Sequence, residues 1–298
     1  MIDIIIPVYN DYEGLKKTLS SIALQKIRKL INVYVIDDNS KDSYEELIDI
    51  FKEDINIILY KNNKKIGKGL SLNKGLEISS SKYIMFIEPN DLFYNPFSVN
   101  ELYMKIDNDN LDIVYGKYIE VSNGLKNEIT FNDNNCYSKI YRREYILKNK
   151  IEFIKSKFYS EYVFNHEAIF KTENIDSFDS FIMTHFENSD FNEYKNVDDF
   201  IKSSNSLITF MIDNNYDPKN IGTILVKTMV YLYLIYSYNI KDKNALKIID
   251  LSKNIYDEFK RYDNTYTYNQ IYEFILSSDS SDNLQILFGD FIKLYAEK

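Results

Sequence analysis

The sequence predicts an α/β protein with a mainly parallel sheet, followed by an α-helical C-terminal region. Three observations carry this. Apolar runs of strand length alternate with helix-period segments through roughly the first 90 residues, the pattern of a parallel sheet with right-handed crossovers. Each of those strands stops in a cluster of polar residues. From about residue 195 onward the apolar period is helical throughout.

The elements follow in order. "IDIIIPV" (2–8) is a nearly continuous apolar run, as a central strand covered on both faces requires. Leu15, Leu19, Ile22 and Ala23 recur at helical spacing. "NVYVIDD" (32–38) is a second strand ending in acids. Ser43 reads as the cap of a helix through Tyr44, Leu47, Ile48 and Phe51. "INIILY" (55–60) is a third strand, and the basic loop 61–69 leads into a helix near 70–79. "KYIMFI" (82–87) is a fourth strand. After Pro96 the rhythm changes. "PFSVNELYMKI" reads as a helix, and "LDIVYGKYIEV" (111–121) with "LKNEITF" (125–131) flank the hairpin signal Ser-Asn-Gly. A strand end or turn and a short helix fit 136–150, a helix fits 161–171, and a strand fits 175–183. Helices are expected over 197–214, 218–239 and 243–262, so the predicted domains are 1–190 and 191–298.

Composition narrows the function. Apolar residues make up 45% and charged residues 27% of the 298, which is ordinary for a globular protein. A net charge of −9 argues against a nucleic-acid or anionic-membrane binder. Cys136 is the one cysteine, which excludes an internal disulfide and a Cys-rich metal site. The first ten residues lack a basic leader, and the longest apolar stretch (224–240) is interrupted by Lys227. The expectation is a cytosolic protein without an integral membrane segment, meeting the inner face of the membrane only through a partner or substrate.

Ligands of parallel α/β sheets bind at the carboxyl ends of the strands. Here those ends are Pro7–Asn10, Asp37–Ser40, the loop from Lys61 to Gly69, and Glu88–Asp91. Four polar clusters at four strand ends form one rim. The loop "NNKKIGKG" is neither a Walker loop nor a dinucleotide fingerprint, since the required Gly spacing and Gly-Lys-Ser/Thr are missing.

Four stretches together resemble a family-2 glycosyltransferase of the Rossmann-like GT-A fold. They are "IDIIIPVYND" with "LKKTLSSIALQ", "VYVIDDNSKD", "GKGLSLNKGLEISSSKYIMFIEPND", and "SKIYRREYILKNKIEFIKSKFYSEYVF". The last is similar to the acceptor side of polysaccharide and wall-teichoic-acid enzymes. The resemblance spans about residues 1–190 and implies an inverting transfer of sugar from a UDP-sugar to a glycan, teichoic-acid, lipid-linked or protein acceptor. It implies that Pro7, Val8 and Tyr9 line the nucleotide pocket and that Asp38 reads the base. Asn63 and Lys68 then approach the diphosphate. "FIEPND" stands where the family spells an Asp-x-Asp-Asp motif, so Glu88 would face ribose or sugar. Asn90 and Asp91 would hold Mn²⁺ or Mg²⁺, with His185 completing the shell. Glu161 would be the catalytic base.

Other readings of the same residues stand beside these. Asp37 and Asp38 also fit an acid pair ahead of a helix, and Glu161 fits a first-turn helix acid. The Asn-Asp sequence after Pro89 fits a plain turn. Glu for Asp at 88, Asn for Asp at 90 and Leu72 in place of a common Arg favour a second function, a catalytically degraded binding or scaffolding subunit. The C-terminal helices would frame the acceptor or make a homo-oligomer contact.

Overall fold

The computed structural model describes residues 1–122, 124–131, 135–155 and 160–186, with positions 206, 209 and 211–213. The chain divides into two compact units, Met1–Phe191 and Asn192–Lys298. The helices expected beyond residue 195, and the oligomer contact assigned to them, lie outside the described residues apart from those few positions.

The first unit opens with β1 (Ile2–Val8), α1 (Tyr12–Ala23), β2 (Ile31–Asp37), α2 (Glu45–Phe51), β3 (Asn56–Lys61), α3 (Lys68–Ile78) and β4 (Tyr83–Phe86). It continues through β5 (Leu92–Phe93), α4 (Ser98–Asn108), β6 (Ile113–Ser122), β7 (Leu125–Ile129), β8 (Lys139–Arg142), α5 (Arg143–Lys148), α6 (Ser160–Phe170) and β9 (Ile175–Phe186). One sheet runs β3-β2-β1-β4-β8-β6-β9-β5, with β7 paired to β6.

The first four strands are parallel, as their spacing predicts. Beyond β4 the sheet is mixed: β8 is antiparallel to β4 and β6, β5 is antiparallel to β9, and β6 and β9 run parallel. β6 and β7 form the expected hairpin.

The core has two faces because successive strand residues point to opposite sides. Ile4, Ile6 and Val8 of β1 pack with Leu15, Leu19 and Ile22 of α1 on one side. Ile5 packs with Leu72 and Leu76 of α3, and with Phe86, Phe153 and Phe164, on the other. Ile4, Ile5 and Ile6 are fully buried, and each contributes about 1.5–3 kcal/mol. A Cβ on Gly75 would come within 2.3 Å of Ile5, so glycine there lets α3 lie close on β1.

Two local differences from the sequence reading matter. Ser43 is not the helix cap. α2 begins at Glu45 with Tyr44 in the cap position, and Ser43 Oγ accepts from the Glu45 N–H at 3.2 Å. Tyr44 is instead drawn into the core, where its hydroxyl accepts from Asp11 N and bonds Ser40 Oγ. The last strand is longer than 175–183 and runs to Phe186, which carries His185 up to the rim.

Candidate active site

The chain leaves β1, β2 and β4 through a left-handed residue each time, Asn10 (φ 52°), Asn39 (φ 64°) and Asn90 (φ 77°). Asparagine tolerates this conformation better than other side-chain-bearing residues. The asparagine of "FIEPND" therefore has a backbone reason to be there. Its amide oxygen accepts from Lys17 Nζ of α1 at 2.8 Å.

On the β1–β3 side, Tyr9 is 41% exposed and Lys65 Nζ lies 3.3 Å above its ring centre. Asp37 accepts from Ser40 N at 2.7 Å and pairs with Lys61 at 3.3 Å. Asp38 is buried. Its carboxylate accepts from Ile66 N at 2.7 Å, Gly67 N at 2.8 Å and Asn62 Nδ2 at 3.1 Å. An ionised carboxylate has about four acceptor positions, so Asp38 folds the loop before α3 and keeps little capacity beyond that. The inward asparagine is Asn62, held also by Ser71 Oγ at 3.0 Å. Asn63, the residue singled out from sequence, is exposed.

The other side of the cleft gathers groups from distant segments. Lys68, first residue of α3, pairs with both Glu88 and Glu161. Glu161 lies in the first turn of α6, and its second oxygen receives a 3.4 Å contact from Cys136 N. Tyr137 donates its hydroxyl to Glu88 Oε1 at 2.7 Å. Its ring stacks on His185 at 4.1 Å. His185 Nδ1 lies 2.9 Å from Asp91 Oδ1, which also accepts from Phe186 N at 3.1 Å. Pro7, Leu72, Phe86 and Ile87 give the recess an apolar wall, and Lys68, Glu88, Tyr137 and Glu161 a polar one.

These groups perturb one another. Burial raises the Glu88 carboxyl, but Lys68, His185 and the Tyr137 hydroxyl outweigh it and hold it down at about 2. Burial pushes Asp91 up to about 6, against its bond to His185, and the charge of Glu88 adds to the rise. Burial lowers His185, and its bond to Asp91 with the charges of Asp91 and Glu88 raises it above the ordinary range. Burial, then the neighbouring carboxylates, drives the Tyr137 hydroxyl and the Cys136 thiol upward, so both stay protonated.

Asp91 Oδ2 is buried without a hydrogen-bond partner. A free carboxylate oxygen beside Glu88 is what a hard divalent cation takes, with phosphate oxygens and water completing its shell. Asn90 Oδ1 is already held by Lys17, and His185 Nδ1 by Asp91. No three His, Cys, Asp or Glu side chains converge as a ready cage among the described residues. The residues fit a cation held chiefly through Asp91.

Of the residues expected from sequence, Lys68, Glu88, Glu161 and Pro7 share one recess, and Asp91 with His185 forms a pair beside it. Val8 is buried at the end of β1. Tyr137, Lys17 and Asn62 were not found from sequence. Tyr137 is one of 27 tyrosines, and a count that high carries no positional signal.

A mainly parallel sheet with an acidic turn after its fourth strand, and a carboxylate facing that turn across the strand ends, defines a glycosyltransferase of the GT-A fold. The family model described as "Glycosyl transferase family 2" matches residues 3–170, and the chain belongs to that family. It is similar to poly(ribitol-phosphate) beta-N-acetylglucosaminyltransferase TarP of Staphylococcus aureus, 26% identical over 237 residues that cover 72% of this chain and 68% of TarP. Among solved structures, S. aureus TarS 1-349 in complex with UDP superposes with a TM-score of 0.74 at 17% identity, over 99% of this chain and 88% of that one. Against another TarS structure the chain spans 50% of the TarS chain. A mannosyltransferase of Pyrobaculum calidifontis in complex with GDP-Man and Mn²⁺ superposes at 0.52 and 11% identity, over 98% of this chain and 79% of that one. At these identities the structural likeness shows the fold. No helix among the described residues is long and apolar enough to cross a membrane.

Proposed function

We propose that the protein is an inverting transferase that moves a sugar from a UDP-sugar to a hydroxyl of a glycan or cell-envelope polymer, with Glu161 as the base. The observation that carries this is the pairing of Lys68 with both Glu161 and Glu88 at the mouth of the β1–β4 strand ends. That pairing sets a carboxylate beside the recess where a donor sugar would sit.

In this reading Pro7, Val8 and Tyr9 take the nucleoside, Tyr9 offering an aromatic face once Lys65 moves aside. Asp38 orders the loop over the nucleotide and has one acceptor position left for the base. Glu88, held ionised, accepts hydroxyls of the ribose or sugar. Asp91 would hold Mn²⁺ or Mg²⁺, which neutralises charge on the leaving diphosphate when bound. Glu161 takes the proton of the acceptor hydroxyl as that oxygen attacks the anomeric carbon from the face opposite the diphosphate. The bond to the diphosphate oxygen breaks and its electron pair leaves with UDP.

The N-acetylglucosaminyltransferase activity of TarP and the UDP bound to TarS make UDP-N-acetylglucosamine the first donor to test. Calorimetry with UDP, with and without Mn²⁺, is the direct experiment. Binding strengthened by metal is expected, and no binding in either condition would remove the donor site. Metal-dependent hydrolysis of the UDP-sugar separates an enzyme from a non-catalytic binding subunit, which would bind without turnover.

A further inference from the structure

We propose that Lys68 is a positioning residue that sets the geometry of Glu161 and Glu88 for transfer, and is not primarily a contact for the donor diphosphate. The inference rests on the reading of Glu161 as the base.

Three observations support it. The first is the bridge: one ammonium joins Glu161 Oε1 and Glu88 Oε1, two carboxylates from opposite sides of the recess. Among the described residues, Glu161's other oxygen has only the long 3.4 Å contact to Cys136 N. The short, charged restraint on Glu161 therefore comes from Lys68, whereas Glu88 is also fixed by Tyr137. Without the ammonium the two carboxylates would repel and turn apart.

The second observation is the place of Lys68 in its helix. It opens α3, behind a Gly67 cap with φ 97°. A helix N-terminus carries partial positive charge and disfavours a cation. Helix stability therefore does not explain a lysine there, and the two facing carboxylates do.

The third is Gly69. A Cβ at Gly69 would lie 2.6 Å from the Ile154 carbonyl oxygen and 2.7 Å from Ser160 Cβ. Glycine thus lets the start of α3 touch the start of α6. The neighbours of that contact are Lys68 on one helix and Glu161 on the other. Close backbone approach and charge pairing are built into the same two turns.

Lys68 stays protonated throughout the reaction. The acceptor proton goes to Glu161, and Lys68 keeps that carboxylate aimed. Tyr137, Tyr141, Cys136 and Glu88 are the other titratable groups around Glu161.

The test is a double-mutant cycle on transfer to a confirmed acceptor, using K68M, E161Q and K68M/E161Q in the full chain. K68M is expected to lower kcat by about 10²-fold, the size of a misplaced reacting group, with donor KM changed by less than about threefold. K68R is expected to recover part of kcat. The double variant is expected to be no slower than E161Q, because residues acting as a unit are non-additive. If K68M does not fold, K68Q takes its place in the cycle. A raised donor KM with unchanged kcat, or losses that multiply in the double variant, would overturn the proposal. Near-normal transfer by E161Q would instead overturn the reading of Glu161 as base. The two failures are therefore distinguishable.

Discussion

The two sides of the cleft are built in different ways. The proposed nucleotide side is local: β1, β2, β3 and their following loops supply Tyr9, Asp37, Asp38 and Lys65 within the first 67 residues. Its hydrogen bonds join neighbouring strand ends, and Asp38 serves mainly to fold a loop. The proposed catalytic side is assembled from residues 68, 88, 91, 137, 161 and 185, carried by α3, the turn after β4, the segment before β8, α6 and β9. There a few charges, from half-buried to buried, hold one another in place. The difference teaches that local order made from backbone amides is robust to side-chain change, whereas order made from paired charges shielded from water is less so, since removing one partner strands the other.

The sharpest way to break this comparison is Glu161→Gln. Transfer should fall by about 10²–10⁴-fold while UDP affinity, measured by calorimetry, stays within error. A parallel loss of UDP binding would mean that the two sides are not separable.

Next in size is the acidic turn. Asp91→Asn should weaken Mn²⁺-dependent UDP binding by about 10–100-fold, because the free oxygen belongs to Asp91. Asn90→Asp should leave Mn²⁺ affinity nearly unchanged, since residue 90 is turned to Lys17. A marked tightening in Asn90→Asp would return the ligand role to position 90.

Gly69→Ala sharpens the contrast through packing. Its methyl would press on Ile154 and Ser160, and crowding of this kind costs about 1–3 kcal/mol. Chemical denaturation should show that loss, and transfer should drop because α6 carries Glu161. UDP binding should hold.

The smallest effect is expected on the nucleotide side. Lys65→Ala removes a cation over an exposed ring, worth about 0.5–1 kcal/mol at such a site. Thermal unfolding should barely move. A large stability loss would show that this loop is more than locally ordered.

Much of the fold was legible in the sequence because its signals are local. The apolar runs of β1 to β4 and the helical spacing of Leu15, Leu19 and Ile22 give elements that match within a residue or two. The four polar strand ends also gave the rim, since strand direction in a parallel sheet fixes which ends converge. The short antiparallel strands β5 and β8 were harder, because two to four residues carry no period. The full length of β9 was missed because His185 and Thr184 broke its apolar run.

By itself, then, the sequence determined the parallel half-sheet, the rim and the identity of the carboxylates, all of which follow from side-chain chemistry and short-range period. Only the tertiary structure decided their partners. It turned Asn62 rather than Asn63 inward and gave Asn90 to Lys17. It placed one tyrosine of many between Glu88 and His185, and it set Lys68 between Glu88 and Glu161. The physical reason is that charge pairing acts across space and leaves no period along the chain. Which ammonium meets which carboxylate depends on how closely two helices approach, and here that distance is set by the missing side chain of Gly69.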